Sequence, residues 1–193
     1  ATATYTVLSD NTLDIKFEAT TDKETVINMT NHSYFNLNGD PSKPGTNMIL
    51  YVNADKFTPT DSTYMTTGEI LPVFSSPFDF RKPRALYTTI DDTTNYLIKN
   101  AQGYDHNWCL NTYKNGKGDD TKVCASLYSP TTGIFLRMYT NEPGVQVYTG
   151  NFQGTGISCK HGIKYPKHVS VCLESQKYPD SPNKKKWPSP YLK

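Results

Sequence analysis

Helical periodicity is nearly absent from this chain, which argues against any architecture built on helices. No apolar run approaches the roughly 20 residues that a membrane-spanning helix needs, and the opening residues do not have the form of a signal peptide. The four cysteines, Cys109, Cys124, Cys159 and Cys172, make no CxxC pair, so neither a zinc motif nor a dithiol redox motif is indicated. Neither sign of charge dominates. The 20 Lys and Arg against 18 Asp and Glu leave a net charge of +2, too little for a protein held to nucleic acid by phosphate neutralisation. There is no fixed-period repeat, no linker, no low-complexity tract and no GxGxxG fingerprint. One domain over residues 1–193 is the expectation.

What is present is alternation. "YTVLSDNTLDIKFEAT" gives two period-two runs around Ser9–Thr12, a hairpin pattern, and in its second arm Leu13, Ile15 and Phe17 are expected to face a core. Further strands are expected at 25–30, 48–52, 108–110, 122–128, 134–140, 145–148 and 169–174. Turn clusters such as "NGDPSKPG", "SPTTG" and "NEPG" separate them. Short strands joined by Pro/Gly/Asn loops predict an all-β antiparallel sandwich or barrel. Three cysteines lie in apolar strand-like stretches and read as free buried thiols, which fits a reducing cytoplasm. Two overlapping sequons, at Asn28 and Asn31, fall in a segment expected to be buried and are set aside.

Four stretches carry groups that can do chemistry. In "NMTNHSYFNLNG", His32 is flanked by Asn31 and Asn36, which suit fixed hydrogen-bond partners; a histidine at a strand exit can equally be structural. In "GYDHNWCL", Asp105 suits an acceptor for ligand hydroxyls or a turn cap. No third ligand stands at a recognised metal spacing from Asp105 and His106. In "TNEPGVQVYTGN", Val145 and Val147 oppose Gln146 and Tyr148, a pair that is either plain surface or the lining of a sugar cleft. In "VCLESQKYPD", Glu174 ends a strand and shares the parity of Ser170 and Gln176, as an acid–base group or an ordinary exposed glutamate.

Together and in this order, "TNHSYFNLNG", "TPTDSTYMTTGEILPVFSSPFDFRKP", "GYDHNWCL", "NEPGVQVYTGNFQGT", "KHGIKYP" and "CLESQKYPDSPN" resemble the aldose 1-epimerases, or galactose mutarotases, over essentially all 193 residues. The resemblance implies a large antiparallel β-sandwich that interconverts the α and β anomers of free aldohexoses such as galactose and glucose. It implies no cofactor, since no redox step occurs. By resemblance Glu174 is the base that takes the C1 hydroxyl proton and His32 the acid that protonates the ring oxygen. An imidazole, ordinarily titrating near ~6.5, suits reversible donation. Asp105 and Gln146 match sugar-binding positions, and Ser33 and Tyr34 adjoin the acid and are expected to orient it or the sugar.

Two departures accompany the resemblance. The family domain is considerably longer, and its N-terminal portion brings an Arg and a second His that residues 1–31 do not match. The chain also stops at "WPSPYLK", short of the family's closing strand. The expectation is therefore a domain incomplete at both ends, completed by a companion N-terminal segment, with a fused nucleotide-sugar epimerase domain as a further partner. Partners otherwise reduce to the small-molecule sugar, with no nucleic acid, membrane or metal. The competing readings are a non-catalytic carbohydrate-binding module, which needs neither acid nor base, and a hexose-6-phosphate 1-epimerase. The second would want clustered arginines, and only Arg81, Arg84 and Arg137 exist.

Overall fold

The computed structural model describes residues 1–154 and 156–193; Thr155, the end of the "NFQGT" run, lies outside the described residues. In chain order the strands are β1 (Thr2–Val7), β2 (Leu13–Glu18), β3 (Thr25–Val26), β4 (Ile49–Val52), β5 (Lys56–Thr58), β6 (Leu71–Pro72), β7 (Arg84–Ala85), β8 (Asp105–Cys109), β9 (Tyr113–Lys114), β10 (Lys117–Gly118), β11 (Ala125–Tyr128), β12 (Phe135–Met138), β13 (Gly144–Tyr148), β14 (Cys172–Gln176) and β15 (Tyr191–Leu192). One short helix, α1 (Tyr96–Ala101), precedes β8.

Two antiparallel sheets form the body, a four-stranded one ordered β12-β11-β4-β7 and a five-stranded one ordered β14-β13-β8-β5-β6. Their facing residues share one core. Leu50, Val52 and Leu127 come from the first sheet; Phe57, Trp108, Val145, Val147 and Leu173 come from the second. That is the sandwich the alternation predicts. Phe78 and Phe80 enter from the loop between β6 and β7, and the Trp108 indole N–H donates to the Phe78 carbonyl at 2.9 Å, so the largest buried ring leaves no unpaired donor.

The predicted hairpin forms as β1–β2, with Thr2 opposite Glu18 and Val7 opposite Leu13. Its apolar face does not reach a core. Leu13 is 48% exposed, Tyr5 54% and Val7 81%, because the hairpin is a two-stranded sheet of its own, outside both large sheets. The strand expected at 25–30 is confined to Thr25–Val26, paired with β15. Asn28, expected to be buried, is exposed, and its side-chain amide is taken up by the backbone of Lys177. Cys109, Cys124 and Cys172 are free and buried, as expected, while Cys159 is free and exposed.

Asp105 and His106, adjacent in sequence, project to opposite faces of β8 as strand geometry requires. His106 is fully buried beside Phe78, its ring Nε2 without a hydrogen-bond partner, and burial pushes its pKa down to about 3. It is therefore neutral when folded and titrates normally when unfolded. The stability this contributes is complete above ~6.5, the ordinary imidazole value, and is lost as pH falls from there towards 3. His106→Leu is expected to lose less melting temperature than the parent protein between pH 7 and pH 5, as followed by circular dichroism.

Candidate active site

Strands β14, β13 and β8 lie side by side, and their registers stack three rows of side chains on one face of the sheet. Tyr148 stands opposite Asp105 and Cys172, Gln146 opposite Asn107 and Glu174, and Gly144 opposite Cys109 and Gln176. The intervening residues, Trp108, Val145, Val147 and Leu173, fill the core on the other face. The valines at 145 and 147 and the apolar residues at 169, 171 and 173 thus fix which side chains must turn outwards. Glu174 sits in the middle of β14, not at its end as the sequence suggests, because pairing with β13 continues to Gln176.

The segment 28–35 brings the histidine. Phe35 and Val171 exchange two backbone hydrogen bonds of 2.9 Å, and Asn28 holds Lys177 through both its amide atoms. The segment is thus tied alongside β14 at both ends in antiparallel sense, and the register running back from Phe35 sets His32 level with Glu174. Asn31 accepts from the Ser33 N–H at 3.2 Å, and Asn36 accepts from the Asn38 N–H at 3.0 Å while donating to the Asp40 carbonyl. These asparagines hold backbone, as their positions imply. At the far end of the face, Asn151 donates to the carbonyls of Ala101 and Tyr104, locking the end of α1 to the start of β8, where Asp105 emerges.

Five of the six sequence-predicted residues, His32, Tyr34, Asp105, Gln146 and Glu174, line one open hollow of about 360 Å³, together with Tyr148, Phe152, Gln176 and Pro179. That volume lies at the small end of small-molecule sites, which run roughly 300–1,000 Å³. Ser33 lies between His32 and Tyr34 and is not among the lining residues. A larger hollow, about 580 Å³, lies beside the β1–β2 hairpin; its Glu142 and Lys177 neutralise each other as an ion pair at 2.5 Å.

His32 Nε2 stands 3.4 Å from Glu174 Oε1, with His32 half-exposed and Glu174 buried. On balance the Glu174 carboxyl is raised to about 7: burial pushes it up, His32 opposes the rise and the Asp105 charge adds to it. Burial raises Asp105 too, against the hydrogen bond from Gln146 and the nearby His32, which lower it. The His32 ring stacks on Tyr34 at 5.0 Å between centroids, and both rings meet Tyr148 edge-on.

The amides form a chain the sequence does not reveal. Gln176 Nε2 donates to Asn107 Oδ1 at 3.3 Å and to Gln146 Oε1 at 3.1 Å, and Gln146 Nε2 then donates to Asp105 Oδ1 at 2.8 Å. Because Gln176 supplies donors to two oxygens, Gln146 must turn its own donor towards Asp105. Gly144 leaves the opening this needs: a side chain there would collide with the Asn107 amide oxygen and the Tyr178 ring. The one legible trace of the chain is parity, since "LESQ" and "GVQVY" put Glu174, Gln176, Gly144 and Gln146 on one face.

An antiparallel sandwich presenting an imidazole and a buried carboxylate in one polar hollow has the make-up of an acid–base site. The family model described as aldose 1-epimerase matches residues 1–193, and the chain belongs to that family. The galactose mutarotase of Mus musculus is 41% identical over 190 residues, covering 98% of this chain and 52% of that protein. The Homo sapiens galactose mutarotase is 39% identical over 191 residues, with the same coverage. The aldose 1-epimerase of Escherichia coli (strain K12) is 36% identical over 192 residues, covering 98% and 53%. Among solved structures, an aldose epimerase homologue from C. elegans superposes with a TM-score of 0.82 at 28% identity, covering 99% of this chain and 54% of that one. The galactose 1-epimerase of Lactobacillus acidophilus NCFM gives 0.77 at 26%, covering 98% and 53%. The chain spans about half the length of the curated relatives it matches.

Proposed function

We propose that this chain carries the proton-transfer pair of an aldose 1-epimerase that interconverts the α and β anomers of free galactose or glucose. The observation that carries the reading is the 3.4 Å approach of His32 to a buried Glu174 in a hollow of hexose scale lined by Asp105 and Gln146. The ring oxygen and the C1 hydroxyl are bonded to the same carbon, so an acid and a base a few ångströms apart reach both. Glu174 takes the hydroxyl proton as C1=O forms and the bond from C1 to the ring oxygen breaks; His32 gives its proton to that oxygen. The C1–C2 bond rotates, and closure returns both protons by the reverse route. Each positioned group contributes roughly 10²–10⁴-fold.

Asp105 accepts from sugar hydroxyls through the oxygen that Gln146 leaves free, and Tyr34 and Tyr148 offer ring faces to sugar C–H groups. Arg81 is taken by Asp79 and Asp55, Arg84 lies over Phe80, and Arg137 is in β12, so no arginine lines the hollow for a phosphate. Polarimetry on freshly dissolved α-galactose with the native protein is expected to show accelerated decay of rotation, and glucose 6-phosphate is expected to respond less. Unaltered decay with galactose would refute the reading.

Glu174 must be ionised to act, and burial holds it protonated until about pH 7. The rate is therefore expected to fall about tenfold per unit as pH drops below that value, a limb that a pH series from 5 to 8 resolves. Gln176→Met keeps the bulk and removes the donors that orient Gln146. It is expected to raise KM roughly five- to tenfold with kcat little changed, the effect of about one hydrogen bond.

A companion segment of about the same length is proposed to complete the domain, because relatives named as mutarotases are about twice as long and the β1–β2 hairpin leaves Tyr5, Val7 and Leu13 uncovered. The intact mass of the native protein tests it: a mass equal to that of this chain, with nothing bound, would refute it. No helix of the described residues is long and apolar enough to cross a membrane. Free cysteines, three of them buried, support a cytoplasmic location.

A further inference from the structure

Cys172 takes no part in the proposed proton transfer, yet it stands beside both groups that do. It lies two residues before Glu174 on β14, on the same face of the strand, and is fully buried. Its Sγ, a ring nitrogen of His32 and a carboxylate oxygen of Glu174 all lie within 4.8 Å of one another, and the nitrogen-to-oxygen separation is already 3.4 Å. A tetrahedral zinc ion, with metal–nitrogen and metal–oxygen bonds of about 2.0–2.2 Å and metal–sulfur bonds of about 2.3 Å, holds its donors roughly 3.3–3.7 Å apart. The three atoms need to close by no more than about 1 Å, and His32, at a half-exposed position, is the one free to move.

The charge around the trio points the same way. Glu174 and Asp105 are carboxylates facing one hollow, and among the residues that line it there is no Lys or Arg; His32 is the only basic side chain. One sulfur, one imidazole nitrogen and one carboxylate oxygen make a mixed set that suits zinc, whereas magnesium and calcium want oxygen throughout. Three protein ligands leave a fourth position open to water, on the side where the hollow is open. The spacing is no zinc motif, because the third ligand arrives from a segment some 140 residues away, carried in by the Phe35–Val171 pairing.

We propose that His32, Cys172 and Glu174 form a binding site for a divalent cation of the zinc class, and that a cation seated there shuts off anomer interconversion by occupying both proton-transfer groups. On binding, the metal–sulfur bond replaces the S–H bond and the thiol proton passes to solvent; the imidazole binds neutral through a ring nitrogen and the carboxylate binds ionised. No electron moves. The inhibitory consequence rests on the proposed function; the site itself does not.

The native protein, stripped with a chelator, is titrated with zinc by calorimetry and with cobalt(II) by absorption. One zinc per chain is expected, together with a near-ultraviolet thiolate-to-cobalt charge-transfer band. Cys172→Ser is expected to abolish that band, to weaken zinc binding by at least roughly 10–100-fold and to relieve zinc inhibition, with the metal-free rate within about twofold of the parent. His32→Ala, at an exposed position, is expected to weaken zinc binding as well. Equal zinc affinity in the parent and Cys172→Ser, or no charge-transfer band in the parent, overturns the site whatever the activity. Metal bound through Cys172 in a protein that interconverts no anomers overturns the functional reading and leaves the site standing.

Discussion

Glu174→Gln is expected to slow the catalysed interconversion by roughly 10²–10⁴-fold, the contribution of a positioned general base. The substitution preserves volume and the register of β14, so lost activity reports lost basicity. A second outcome goes with the first. In the parent protein, burial raises Glu174 to about 7, so the folded state resists ionising it while the unfolded chain does not. The sign of the linkage follows: the favourable contribution of the protonated form is complete below the ordinary glutamate value and is lost as pH rises through 7. Gln cannot ionise and escapes that loss. Glu174→Gln should therefore melt at a higher temperature than the parent at pH 8, and the gap should narrow towards pH 5. Lower activity joined to higher stability is the signature of a buried functional carboxylate. A variant equally active, or one less stable at pH 8, would place Glu174 among ordinary structural residues.

Much of this site follows from strand parity, and what does not follow shows where parity stops. Valines at 145 and 147 and apolar residues at 169, 171 and 173 predict which side chains turn outwards, and Gln146, Tyr148 and Glu174 do so. Parity alone does not say which strands are neighbours. That Gln146 stands between Asn107 and Glu174 depends on β13 lying between β8 and β14, a non-local arrangement no short window contains. The amide chain through Gln176 and the opening at Gly144 exist only once that order is set. Ser33 shows the converse: its neighbours His32 and Tyr34 both line the hollow, and alternation takes the residue between them elsewhere. The β1–β2 hairpin is a third case. Its alternation predicts pairing correctly, but a pattern of apolar residues records only that a face is fit for burial, and here no large sheet lies against it.

His32→Ala is expected to cost two separable factors, and separating them assigns the role. The first is loss of the acid that protonates the ring oxygen, roughly 10²–10⁴-fold where the imidazole carries its proton. The second arises because His32 is the group that holds Glu174 down against the effect of burial. Without it the carboxyl titrates higher still, and the acid limb of the rate profile moves to higher pH. At pH 7 the variant therefore loses both its acid and part of its ionised base, whereas at pH 9 the carboxyl is ionised with or without His32 and an imidazole has far less proton to give, so the deficit should shrink as pH rises. His32 is half-exposed, and its ring contacts are with Tyr34 and Tyr148 at the hollow. Free imidazole in the buffer should restore part of the rate by entering the space the ring vacates. A histidine that merely propped the segment 28–35 in place would give neither the moved limb nor the rescue. Polarimetry across pH 6 to 9, with and without imidazole, distinguishes a proton donor from a prop.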